Sequence, residues 1–180
     1  SLNVEGQHFS NSQKQLKCTP TEGLVGDWPL DNKNTYNNKA HDISGQNNDG
    51  QLNGVKTGVE GVNGEAHEFR GGESIVYEDN LVLERDGSAI TWWMNPEGES
   101  STGLFTGRNR FDNYISARKD TLRAETVTNC NGFYFDQYEK KTGWNHYAIV
   151  LNDSKAYAYE NGNYLGEATS YDSIDCNGGE

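Results

Sequence analysis

The sequence predicts an all-β domain, two antiparallel sheets packed face to face, and three observations carry the prediction. From residue 74 onward, short runs of β-branched and aromatic residues recur about every 8 to 12 positions, divided by Gly, Asn and Asp, which is the spacing of a sandwich. Residues 144–151 alternate with period two, and Asn161-Gly162 closes the hairpin that follows, because both residues tolerate positive φ. No segment repeats its apolar residues with the period of a helix.

Taken in order, residues 1–20 are polar, with Val4 and Phe9 as a short edge strand, and form an N-terminal extension ending at Cys18-Thr19-Pro20. Residues 21–180 form the domain. Its first strand is expected at Leu24-Val25-Gly26-Asp27-Trp28-Pro29-Leu30-Asp31, at an edge or a strand end, because Pro29 has no N–H to donate. An Asn-rich loop and a turn-forming stretch, residues 40–50, come next. Short strands separated by Gly54, Gly58, Gly61 and Gly64 fill residues 51–68, followed by a strand at 74–77 and a loop or short strand at 80–83. Residues 89–96 form a strand with Ile90, Trp92 and Met94 on one face and Thr91, Trp93 and Asn95 on the other. Runs at 103–106, 114–119, 121–127 and 132–138 continue the series. In the strand at 144–151, Trp144, His146, Ala148 and Val150 share one face, and Asn145, Tyr147, Ile149 and Leu151 the other. Neither face is uniformly polar, so an interior strand covered on both sides is expected.

A chain of 180 residues fits one such domain. Only 33% of it is hydrophobic, but 10 Tyr and 4 Trp supply large buried areas. No apolar run approaches the roughly 18 residues that span a bilayer, so membrane insertion is not expected. The formal charge of −12, from 27 acidic and 15 basic residues, argues against a nucleic-acid partner, whose phosphates need a basic surface. The acidic excess reads either as a solvated surface or as ligands for Ca²⁺. Three cysteines, Cys18, Cys130 and Cys176, are too few and too odd for a disulfide framework. In an extracellular protein they suggest one bridge and one leftover thiol, with the pair left open. One Asn-x-Ser sequon, Asn152-Asp153-Ser154, falls in a predicted turn. The chain begins at Ser1 without Met or a signal peptide, which reads as a processed protein or a fragment.

Three blocks carry a resemblance. They are residues 24–31 with Ala40-His41-Asp42-Ile43-Ser44-Gly45-Gln46-Asn47-Asn48-Asp49-Gly50, residues 89–96, and Trp144-x-His146-x-Ala148-x-Val150 followed by Asn161-Gly162. Gly64-x-Ala66-x-x-Phe69-x-Gly71 continues the pattern. Over residues 24 to 169 the chain resembles laminin-G-like domains, which are concanavalin A-like lectin/glucanase jelly rolls. The resemblance implies a jelly-roll sandwich with Trp93 and Trp144 in its core and a Ca²⁺ site at its rim. It carries that metal role to Asp42, with Asn47 and Asp49 beside it; the same Asp-x-Ser-Gly run also makes a self-sufficient Asx turn. One departure stands out: the family's final strand is echoed only by Ile174-Asp175. Either the ending is rebuilt, or residues 1–20 or a neighbouring chain complete the sheet at an uncovered edge.

Catalysis is not expected. Glucanases on this scaffold carry paired carboxylates on one strand face, and Asp136 and Glu139 have the wrong spacing for such a pair. The histidines at 8, 41, 67 and 146 show no metal-binding spacing, and His146 reads as a buried, hydrogen-bonded core residue. Sugars present apolar C–H faces that stack on aromatic rings while Asn, Asp and backbone groups fix their hydroxyls. Asn109, Asp112, Asn113, Tyr114, Tyr134 and Tyr138 have that composition, although the tyrosines fit a core role equally well. Phe133 and Phe135 are expected in the core.

These readings converge on a secreted or surface-displayed, non-catalytic recognition or adhesion module. It binds glycan, as a lectin does, or an extracellular protein through rim loops, with Ca²⁺ as an optional aid. The alternative is a structural subunit of an extracellular filament, sheath or virion surface. Such a subunit would self-assemble through edge strands or the N-terminal extension.

Overall fold

A computed structural model of the chain describes residues 22–77, 87–96, 102–106, 113–117, 121–126, 131–152, 155–169 and 171–172. The extension at 1–20, the segment at 80–83, Ile174-Asp175 and all three cysteines lie outside the described residues.

The fold is all-β. A 3-10 turn at Asn32–Asn34 is capped by Asp31, whose side chain accepts from the Asn34 N–H. It is followed by β1 (Thr35–Tyr36), β2 (Lys39–Ala40) and β3 (Gly50–Asn53). β4 (Lys56–Gly61) and β5 (Gly64–Glu68) form a hairpin of their own. β6 (Ser74–Tyr77) returns beside β3 to give the antiparallel order β1-β2-β3-β6. Gly50 permits this close pairing, since a Cβ there would stand 2.3 Å from Cγ2 of Ile75.

The rest of the chain makes two further sheets. β7 (Ala89–Met94) begins one; β8 (Thr102–Thr106), β9 (Asn113–Ala117), β10 (Leu122–Thr126) and β11 (Asn131–Phe135) form the other as an antiparallel meander. β12 (Asn145–Asn152), β13 (Lys155–Glu160) and β14 (Asn163–Thr169) then join β7 in the order β14-β13-β12-β7. β15 (Tyr171–Asp172) crosses back to pair with Asn131 and Gly132 of β11. Asn161 (φ 52°) and Gly162 (φ 78°) make the tight turn between β13 and β14, as the Asn-Gly pair predicts.

These two sheets bury one core between them, the arrangement of a β-sandwich. Ile115, Leu122, Ala124, Phe133 and Phe135 face Tyr147, Ile149, Leu151, Ala156, Ala158 and Ala168, with Ile90, Trp92, Met94 and Leu165 packed around them. β11 lies against β13 and β14, where the small alanines leave room for its two phenylalanine rings. Each fully buried large side chain in this layer contributes roughly 1.5–3 kcal/mol.

Three expectations are corrected here. Residues 24–30 form no strand: Pro29 cannot donate, Leu30 has φ 56°, and side-chain hydrogen bonds replace a ladder. β12 is interior to its sheet as expected, but only its Asn145-Tyr147-Ile149-Leu151 face is fully buried; its other face is half-buried. Trp93 is not a core residue. It alternates with Trp92 as the period requires, yet the core takes Trp92 and leaves Trp93 52% exposed.

Candidate functional site

The loop proposed for Ca²⁺ is a hydrogen-bonded knot. Oδ1 of Asp42 accepts from the N–H groups of Asp27 (2.9 Å) and Ser44 (2.8 Å). Its Oδ2 accepts from Oγ of Ser44 (2.7 Å) and the N–H of Asn48 (3.0 Å). Burial pushes the Asp42 carboxyl upward, but these donors outweigh it and hold the group below its ordinary value. Asp49 accepts from the Asp42 N–H through Oδ1 (3.0 Å) and meets Nδ1 of His41 through Oδ2 (3.0 Å). Asn47 is exposed at the tip with φ 62°. The lone pairs of Asp42 are thus committed to the loop itself, the arrangement of an Asx turn. Among the described residues no cluster of three His, Cys, Asp or Glu side chains is set for a metal ion.

The residues expected to bind glycan are not brought together. Tyr138 is fully buried, because the chain turns at Asp136-Gln137, donates the Tyr138 N–H to the Phe135 carbonyl, and folds its ring against Tyr147. Tyr134 points the opposite way, 36% exposed on the outer face of β11. The Arg123 guanidinium lies 4.9 Å above its ring. Asn113 and Tyr114 pair through β9 with Thr126 and Glu125; Asn109 and Asp112, and the side chains of 113 and 114, lie outside the described residues. Phe133 and Phe135 are in the core as expected.

The inner end of the β12–β13 hairpin is polar. Glu160 is buried and pairs through Oε2 with Lys141, and the buried hydroxyls of Tyr138 and Tyr147 lie beside it. Burial, followed by the nearby Tyr138 and Glu160, pushes the Tyr147 hydroxyl far above its ordinary value.

The feature that sequence reasoning missed is the outer face of the β14-β13-β12-β7 sheet. Trp93 leans on His146 across the β7–β12 pair, ring centroids 5.1 Å apart. In the next row Thr91, Ala148, Tyr159 and Tyr164 stand side by side across all four strands. Tyr159 and Tyr164 meet edge to face at 5.8 Å, and Tyr164 is 57% exposed. His146 was expected in the core but is half-buried here, and burial holds its imidazole below the usual pKa. Trp144 is half-buried too. A signal for this face exists in residues 155–160, where alanines alternate with tyrosines: Ala156 and Ala158 are fully buried and the tyrosines face outward.

Comparison with known proteins finds no matching family model, no matching curated protein and no matching solved structure.

Proposed function

We propose that the chain is a non-catalytic recognition module, a laminin-G-like jelly roll acting outside the cell and binding a glycan. The observation that carries this reading is the exposure of Trp93 (52%) and Tyr164 (57%) on one sheet face whose reverse packs on the core. Keeping large rings in water has no folding benefit, and rings held by a rigid sheet are ready-made stacking surfaces for the apolar faces of sugars. The antiparallel all-β sheets agree with the sandwich that the family resemblance implies. The reading does not require Ca²⁺, since the Asp42 carboxylate already makes four hydrogen bonds.

A glycan array probed with the folded chain tests it. Saturable binding to one glycan class is the expected result. A silent array from protein with an intact cooperative melt overturns the reading.

A further inference from the structure

We infer that the outer face of the β14-β13-β12-β7 sheet is the binding site, and that it takes a neutral oligosaccharide lying across the strands, stacked on Trp93 and Tyr164. The inference rests on the reading above and names its site and ligand class.

The shape comes from the strand register. Thr91 and Ala148 are directly opposite each other and carry small side chains, so they form a shallow floor. Trp93 and His146 stand beside that floor one pleat along the same two strands, and Tyr159 and Tyr164 continue it on the next two. Four strands span about 14 Å at the usual interstrand spacing, enough for a short oligosaccharide. The rings are braced rather than loose: Trp93 rests on His146, and Tyr164 rests on Tyr159. Ordered rings lose less entropy when a ligand stacks on them.

The charge pattern selects the ligand. Among the described residues, the charged side chains on this face are Lys155 and Glu167, and they close on each other at 3.1 Å. The face is therefore locally neutral, within a chain of net charge −12 that repels polyanions. A sulfated or uronic-acid chain would find no free cation here. A neutral sugar needs only rings to stack on and groups that both donate and accept, and the Thr91 hydroxyl, the tyrosine hydroxyls and a neutral His146 imidazole have that character. The sheet itself supplies no cleft wall, so the ligand is held by stacking first and hydrogen bonds second.

The test uses the full chain, a panel of neutral hexasaccharides (gluco, manno, galacto and xylo) and a heparin-derived hexasaccharide, read by calorimetry and tryptophan fluorescence. Trp93→Ala and Tyr164→Ala lie outside the buried core, and thermal melts verify that each variant folds. Tyr134→Ala on the opposite sheet is the control. Binding of a neutral hexasaccharide that weakens at least tenfold in both site variants, holds in the control and changes little with salt is the expected outcome. Neutral-sugar binding that survives both substitutions places the site elsewhere: it overturns this inference and leaves the recognition reading standing. Binding of the heparin fragment alone overturns the ligand class. Dimerisation that Trp93→Ala abolishes, without sugar binding, gives the face to a second copy of the chain and overturns the inference. Failure to bind any sugar sinks both this inference and the reading beneath it.

Discussion

Trp28 donates its indole N–H to the backbone carbonyl of Asn48, 2.8 Å away, and so ties the chain before β1 to the loop before β3. Its ring packs on Tyr77 of β6 with centroids 4.7 Å apart. One side chain thereby joins three segments of the N-terminal sheet region. Trp28→Phe keeps the ring and removes the donor, which leaves the Asn48 carbonyl short of a partner. A loss of about 1 kcal/mol in urea unfolding is expected, with an unchanged slope.

Asp42 organises the same loop through its charge. Its folded pKa lies below the unfolded value, so its contribution to stability is complete above about pH 4 and is lost as the pH falls through the folded value. The melting temperature of the native chain is expected to drop from pH 4 to pH 2 more steeply than that of Asp42→Asn. At pH 7 Asp42→Ala should cost roughly 2 kcal/mol, since several charge-assisted hydrogen bonds disappear together.

Gly50 faces side chains at a distance no Cβ tolerates, with Ile75 at 2.3 Å and Tyr77 at 2.8 Å. Gly50→Ala is expected to destabilise by about 1–3 kcal/mol, because β3 and β6 must separate or the Ile75 and Tyr77 side chains must leave their rotamers. Hydrogen exchange should show the loss first at the amides shared by β3 and β6.

β13 predicts an asymmetry that a conventional reading of its sequence would reverse. Ala158→Val adds bulk to a filled interior and should cost about 1–3 kcal/mol. Tyr157→Ser removes a large ring from the outer face and is expected to stay within about 1 kcal/mol. Paired chemical denaturation curves check both.

Periodicity made the strands and their turns legible. Asn161-Gly162, the alternation of β12 and the opposed Trp92 and Trp93 can all be read from spacing alone. Which face turns inward cannot, because that depends on what the partner sheet brings. β11 brings two phenylalanines, and the strand facing it therefore carries alanine inward and tyrosine outward. The same dependence misplaced Trp93 and His146, and it assigned Tyr138, which fitted either role, to the core. The block at 24–31 has a strand's composition, but Pro29 has no N–H to donate, and the side chains of Asp42 and Asn48 take up the Asp27 N–H and the Val25 carbonyl instead. Hydrogen bonds between side chain and backbone across 15 or more residues leave no periodic trace.

Because β13 entrusts its interior to alanine and its exterior to tyrosine, the side chains that hold the two layers together are not the ones that meet the outside world. Exchanging its outward rings would therefore change the chemistry of that surface with little penalty to the architecture underneath.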